Sequence, residues 1–142
     1  MVHKIEISIQ VIVHATEDIS KIFQSFEDIL GLNEEDFTIE ETEGHYENPI
    51  IMINANIVKK QAQNFMNKLI ELLPGEQLKE LVGEIEERTE NSRFHLRLDK
   101  QELIKGNLIV IEKGTIKLKI HTPVYNKKDT VKTFSQIFQI VN

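Results

Sequence analysis

Apolar and polar residues alternate along several stretches of the chain, the pattern typical of strands that bury one face. In the first stretch the apolar positions are Ile5, Ile7, Ile9, Val11 and Val13. The segments 37–42 and 50–57 flank a tip rich in turn-forming residues, which predicts a hairpin. The stretch 93–98 alternates in the same way. A second hairpin is predicted around Lys113 and Gly114, and its second strand covers 115–121.

Between these strands the apolar residues recur with helical spacing. The first helix is predicted to begin at a Thr16 cap, with Glu17 and Asp18 in its first turn, and to end at Gly31. Further helices are predicted over 59–73, over 76–88 with a strongly acidic outer face, and from about Asp129 to the C-terminus.

The predicted element order is β-α-β-β-α-α-β-β-β-α within a single domain, residues 1–142. This order predicts an α+β fold, a two-layer sandwich with a mixed or antiparallel sheet covered on one face by helices. Because most strands alternate rather than run continuously apolar, the other face of the sheet is expected to be open to water. That open face is where a functional surface is expected.

Charge is unevenly distributed along this acidic chain of 142 residues, whose formal net charge is -6. Residues 1–90 contain 7 basic and 19 acidic side chains, whereas residues 91–142 contain 10 basic and 4 acidic ones. Such asymmetry suggests a polyanionic partner for the C-terminal part. The absence of cysteine excludes disulfides and suits a reducing cytoplasm, and no apolar run is long enough to predict a membrane segment.

The cations of the C-terminal part fall on one face of two predicted strands. In the stretch 93–98, Arg93 and Arg97 point away from the apolar side, as do Lys117 and Lys119 in the stretch 115–121. If both strands lie in one sheet, the four side chains share its open face, where they would neutralise phosphates. The alternative is that they only keep an exposed sheet face soluble.

The catalytic and cofactor signals are weak by comparison. The five histidines lack the H-E-x-x-H spacing and the cysteine partners of a zinc site, so no metal is expected. No phosphate-binding or dinucleotide fingerprint is present, so no cofactor is predicted. An acid/base group would require His14, Glu17 and Asp99 to converge.

Three phrases together resemble a known family: "VHATED" (13–18), "EGHYENPI" (43–50) and "LRLDKQ" (96–101). In this order and at these separations they are similar to the archaeal family of predicted RNA-binding proteins, also described as predicted exosome subunits. The resemblance spans nearly the whole chain. The chain departs from the family's commoner "GHYGNP" form by having Glu47 where glycine is usual, which makes the hairpin tip more acidic.

The resemblance implies a fold similar to that of the ribosomal protein that carries 5S ribosomal RNA, together with a role in RNA metabolism. Its motifs point to a functional surface made of His14, His45, Tyr46, Asn48, Arg97, Asp99, Lys100 and Gln101. In this interpretation Arg97 and Lys100 contact phosphates, and His45 and Tyr46 stack on bases. Asp99 either orients Arg97 or caps the following segment.

The sequence thus predicts a non-catalytic, cytoplasmic RNA-binding protein linked to RNA processing, the exosome or the ribosome, with exosome or ribosomal proteins as further partners. Its predicted RNA contacts are those of the resemblance together with Arg93, Lys117 and Lys119. One alternative is a protein-interaction module that docks a basic partner through the acidic helix 76–88. The other is an RNA-acting enzyme built on the group around His14.

Overall fold

The computed structural model describes residues 4–43 and 49–139, and its six strands form one antiparallel sheet in the order β2-β3-β1-β6-β5-β4. The strands are β1 (Glu6–His14), β2 (Thr38–Glu43), β3 (Pro49–Val58), β4 (Thr89–Glu90), β5 (Arg93–Leu98) and β6 (Ile116–His121). The helices are α1 (Ile19–Ser25), α2 (Lys59–Leu72), α3 (Gly75–Gly83), α4 (Ile85–Arg88), α5 (Lys100–Ile104) and α6 (Lys127–Gln139). A π-helical turn (Phe26–Leu30) extends α1, and a 3₁₀ turn (Glu34–Asp36) precedes β2.

The apolar positions of the alternating strands form the core under the helices. The inward side chains of β1, β5 and β6 are almost completely buried, as are the apolar faces of the helices that cover them. Phe94 of β5 packs between Phe134 and Phe138 of α6, with ring centroids 5.7 and 5.0 Å away. The opposite sheet face carries exposed and partly exposed side chains, so the predicted two-layer α+β class is confirmed.

The first helix begins later than predicted. Its N-cap is Asp18, whose side chain accepts a hydrogen bond from the backbone N–H of Ser20, and Thr16 does not cap it. Glu17 therefore lies before the helix, and its carboxylate pairs with Lys100. The predicted end is correct, because Gly31 adopts a left-handed conformation (φ 72°) that glycine accepts without strain.

The hairpin predicted around Lys113 and Gly114 does not form. The residues before it make only one bridge, between Val110 and Leu98 at the outer edge of β5, and α5 replaces the connection expected after β5. The side chain of Gln77 in α3 binds both the N–H and the carbonyl of Val110, so a side chain occupies the place of the next strand. A Cβ at Gly114 would lie 2.3 Å from the carbonyl oxygen of Leu98, so only glycine lets the chain pass this close to the end of β5.

The helix predicted over 76–88 is divided into α3 and α4. The division falls at Glu84, whose backbone (φ −108°, ψ 13°) leaves the helical region, and Ile85 then begins the short α4. The acidic side chains of both helices remain at the surface, on the side of the molecule that holds the helices. No helix among the described residues combines the length and apolar character needed to cross a bilayer.

Candidate nucleic-acid interface on the open sheet face

The register of the central strands places the predicted cations of β5 and β6 next to one another. Lys117 lies directly opposite Arg97, and Lys119 lies directly opposite His95. Arg93 is opposite His121 at the end of the same two strands. Directly opposite side chains point to the same face of a sheet. We call the group Arg93, His95, Arg97, Lys117 and Lys119 the basic strip.

A second group of side chains continues the same rows across β1 and β3. Lys119 faces Ser8 on its other side, and Ser8 in turn faces Asn56, to whose Oδ1 its hydroxyl donates a hydrogen bond of 2.9 Å. In the next row Lys117 faces Gln10, which faces Asn54. We call Ser8, Gln10, Asn54 and Asn56 the polar strip.

The two strips line one broad depression of about 680 Å³ in the open sheet face. The basic strip supplies cations on one side of the depression, and the polar strip supplies uncharged amide and hydroxyl groups that both donate and accept hydrogen bonds on the other. The arrangement suits a ligand that has anionic groups on one side and hydrogen-bonding groups on the other. RNA has both, in its phosphates and in its 2′-hydroxyls and base edges.

The Lys and Arg side chains of the basic strip have no carboxylate partners within the described residues. None of Arg93, Arg97, Lys117 and Lys119 has a described carboxylate within 4.0 Å. The direct pairing of Arg97 with Lys117 places like charges opposite each other, which destabilises a sheet. A locally unfavourable arrangement without a compensating partner is typical of a functional surface.

His95 is the member of the basic strip whose charge can change near neutral pH. Its partial burial, the positive charge of Lys119 opposite it and the nearby Arg93 lower the pKa of His95 below its usual value of 6.5, and Glu90 opposes this only in part. The imidazole is therefore mainly neutral at pH 7. A neutral imidazole has one donor and one acceptor nitrogen, so His95 adds hydrogen-bonding capacity between the cations.

Lys100 lies elsewhere and has a different environment. Its ammonium is buried, with 6% exposure, and it donates hydrogen bonds of 2.6 Å to Oε1 of Glu17 and 2.7 Å to the carbonyl of Ile12. Gln101 donates a longer bond, 3.3 Å, to the other oxygen of Glu17. Asp99 caps α5 by accepting from the backbone N–H of Glu102. These residues of the "LRLDKQ" phrase thus connect α5 to the end of β1.

Glu17 is held as a carboxylate by this arrangement. Burial by itself would raise the pKa of Glu17, but the hydrogen bond from Lys100, the backbone N–H of His14 and the neighbouring positive charge lower it below its usual value. No hydrogen bond among the described residues joins the side chains of His14, Glu17 and Asp99 into one group. The contacts of Glu17 and Asp99 are those of residues that fix a turn and cap a helix.

Of the remaining predicted site residues, the structure describes only His14, which lies apart from the basic strip. His14 is exposed at the end of β1, opposite Ile50, and is four residues beyond the Gln10 row. This corresponds to roughly 13 Å along a strand. His45, Tyr46 and Asn48 lie outside the residues that the structure describes.

Sequence reasoning missed the polar strip. Its members occupy the polar positions of the alternating pattern in β1 and β3, so the pattern already placed them on the open face. The residues opposite them on adjacent strands were not predictable, because β1 lies between β3 and β6, two strands that are distant from it in the sequence. In the described part of the chain, no three acidic or histidine side chains come together as a candidate metal site.

Fold and surface together define a class: an α+β protein whose open antiparallel sheet presents a cationic, hydrogen-bonding depression. Comparison with known proteins agrees with this class. The family described as RNA binding matches residues 6–122, and the chain belongs to this family.

Two relatives and two solved structures illustrate the similarity. The chain is 32% identical to the uncharacterized protein MJ0213 of Methanocaldococcus jannaschii, over 89% of this chain and 91% of that protein. It is 33% identical to the RNA-binding protein PAB1135 of Pyrococcus abyssi, over 75% and 73% of the two chains. The DUF54 protein Mth689 of Methanothermobacter thermautotrophicus superposes with a TM-score of 0.76 at 28% identity, over 96% of this chain and 99% of that one. Protein AF2318 of Archaeoglobus fulgidus shares the fold, with a TM-score of 0.80 at 24% identity over 94% and 99%.

Proposed function

We propose that the open sheet face binds RNA without catalysing a reaction on it, with the basic strip on the phosphates and the polar strip on sugars and base edges. The observation that carries the proposal is the set of four cations without carboxylate partners in the described residues, beside four neutral polar side chains in one depression. Membership of the RNA-binding family and the similarity to the Pyrococcus abyssi RNA-binding protein support it.

The phosphate contacts are assigned to Arg93, Arg97, Lys117 and Lys119, and not to Lys100. Arg97 and Lys119 are exposed and Lys117 is partly exposed, all on the open face, whereas the ammonium of Lys100 is already occupied by Glu17 and Ile12. Four phosphate contacts give an expected slope of about −3 for log K against log salt concentration. The acidic helices on the other side of the sheet favour binding in one orientation, because they repel the same phosphates.

The direct test reverses charge in the middle of the basic strip. Arg97→Glu combined with Lys117→Glu is expected to weaken binding of a structured RNA by about 100-fold, because two charge-assisted contacts are lost. The matched control is Lys21→Glu combined with Lys79→Glu, which changes net charge equally on α1 and α3. The control is expected to bind nearly as the unmodified protein does.

Titration of each protein with fluorescently labelled RNA at several salt concentrations measures both affinity and slope. Equal losses in the two double variants would contradict the proposal, because net charge alone would then account for binding. A loss confined to the Arg97 and Lys117 variant would support it.

The cellular role proposed for this surface is in cytoplasmic RNA processing, with the exosome or the ribosome as the associated machinery. The acidic surface of α3 and α4, which includes Glu76, Glu80 and Glu87, supports this role because it is suited to a basic protein subunit while the sheet holds RNA. Affinity purification before and after ribonuclease treatment tests it. A ribosomal or exosome subunit that stays bound after the treatment would support direct protein contact through α3 and α4, and one that is lost only after the treatment would support association through RNA. Recovery of no such subunit even before the treatment would contradict the proposed role.

A further inference from the structure

Tyr125 is the most exposed large side chain among the described apolar and aromatic residues, at 79% of its full accessibility. It lies in the connection between β6 and α6, and its ring is 6.2 Å from that of His121, at an angle of 48°. His121 is on the open sheet face opposite Arg93, so the aromatic pair adjoins the end of the basic strip.

The backbone on both sides of Tyr125 is held firmly. Before it, the N–H of Thr122 donates to the carbonyl of Ser92, and the Ser92 hydroxyl donates to the carbonyl of Val124. After it, the hydroxyl of Thr130 donates to the carbonyl of Val124, and the backbone N–H of Thr130 donates to the carbonyl of Asn126. Because the backbone is already fixed, binding of a flat ligand to the ring costs mainly the rotamer freedom of one side chain.

We propose that Tyr125 and His121 form a stacking site for one unpaired nucleobase at the end of the basic strip. The proposal rests on the proposed function and narrows its ligand to RNA that has an unpaired nucleotide next to the segment whose phosphates lie on the basic strip. Aromatic rings recognise the flat face of any base, whereas the bases inside a continuous duplex are stacked on one another. Arg93 beside the pair is suited to the phosphate that precedes or follows the unpaired base.

The charge around the pair favours a nucleotide over an apolar peptide side chain. Arg93 and Lys119 lie on the same face as His121, one opposite it and the other two residues before it on β6. A polyanion bound along the basic strip therefore leads directly to the exposed ring. Glu6 lies opposite His121 on β1, with its carboxylate 3.8 Å from Nδ1 of the imidazole, a separation longer than a hydrogen bond.

The test compares short RNA duplexes that differ only in one terminal nucleotide. One duplex is blunt, and two others carry a single unpaired 2-aminopurine at the 3′ ends or at the 5′ ends. The unmodified protein is expected to bind one of the overhang duplexes about tenfold more tightly than the blunt duplex, with quenching of the 2-aminopurine fluorescence. Tyr125→Ala is expected to abolish the preference and the quenching while affinity for the blunt duplex stays within about twofold.

Two further variants separate stacking from other effects. Tyr125→Phe keeps the ring and loses only the hydroxyl, so it should retain the preference. Leu72→Ala removes an exposed apolar side chain from α2 and should leave both affinities unchanged. Because Tyr125 is exposed, thermal unfolding of Tyr125→Ala should match that of the unmodified protein.

The possible outcomes distinguish the two proposals. Equal affinity of the unmodified protein for all three duplexes would overturn the stacking site and leave the proposed function standing. A preference that persists in Tyr125→Ala would do the same. If none of the duplexes binds, and a single-stranded RNA also fails, the proposed function and the stacking site both fall.

Discussion

Lys100 and Lys117 are the same type of side chain in opposite situations. Lys100 is buried and bound to Glu17 and to the Ile12 carbonyl, in a corner where α5 meets the end of β1. Lys117 lies in the open depression, opposite Arg97, with no described carboxylate in reach. The first arrangement joins opposite charges, so removing one partner would leave a buried charge uncompensated, whereas the second places like charges opposite each other, and we propose that a bound anion relieves that repulsion. A cation therefore cannot be assigned to RNA binding from its position in a motif alone.

The largest effect expected from this comparison is on stability. Glu17→Ala leaves the buried ammonium of Lys100 without its carboxylate, so we expect the free energy of unfolding to fall by about 2 to 4 kcal/mol. Chemical denaturation at pH 7 measures the loss. RNA affinity of the folded variant should be unchanged, because the basic strip is untouched.

The matched control is Glu84→Ala, which removes the carboxylate that pairs with Arg88 at 2.8 Å, where both side chains are partly exposed. A pair four residues apart that keeps access to solvent contributes only about 0.3 to 0.5 kcal/mol, so this variant should lose little stability. Similar losses in the two variants would contradict the structural role assigned to Lys100.

The contribution of Glu17 should also depend on pH. Because its pKa is lowered in the folded protein, the stabilisation is fully present above the usual value of 4.5 and is lost as pH falls through the lowered pKa. The difference in stability between the unmodified protein and Glu17→Ala should therefore shrink in acid.

A smaller effect of opposite sign is expected in the basic strip. Arg97→Glu places a carboxylate opposite Lys117, which replaces a like-charge pair by an attractive one and should raise stability by about 0.2 to 1 kcal/mol. The same change should weaken RNA binding by about tenfold or more. Thermal unfolding and RNA titration of one preparation measure both.

A variant that is more stable and binds RNA less well would separate folding from function at this position. Arg97→Gln is the intermediate case, because it removes the repulsion without adding attraction. If Arg97→Glu were less stable than Arg97→Gln, the side chains of Arg97 and Lys117 would not be adjacent as the register indicates.

The smallest effect concerns the proton of His95. Because its pKa is lowered by burial and by Lys119, His95 favours the folded state fully above pH 6.5, and this contribution is lost as pH falls through the lowered value. Bound phosphates favour the charged imidazole, so RNA affinity should rise as pH falls below 6.5. His95→Gln should flatten both dependences, and stability and affinity measured over pH 5 to 8 check this. If His95→Gln leaves both pH dependences unchanged, neither originates at His95.

The alternating pattern was sufficient to predict much of the fold. It predicted the strands around 5–13, 37–42, 50–57, 93–98 and 115–121, and it put the cations of 93–98 and 115–121 on the open face. The α+β class followed because strands that bury one face require a layer of helices. The same reasoning predicted a strand before Lys113. In the structure this segment makes a single bridge to β5, the side chain of Gln77 binds the backbone of Val110, and the chain passes close to Leu98 at Gly114.

The candidate site was only half predictable. The cations of the basic strip are visible in the sequence because charge at alternate positions of a strand must lie on one face. The role of Lys100 was not visible, because its partner Glu17 is 83 residues away. The same limit applies to Tyr125, whose position beside His121 and Arg93 depends on how the connection to α6 folds back.

The sequence by itself determined which side chains of each strand face the helices and which face outward, because strand geometry fixes that alternation locally. It also determined that the outward side chains of the last two predicted strands are basic. Only the tertiary structure decided that β6 pairs with both β1 and β5, which joins the basic strip to the polar strip. Only the tertiary structure placed Lys100 against Glu17, because strand order and long-range ion pairs depend on how the whole core packs and not on neighbouring residues.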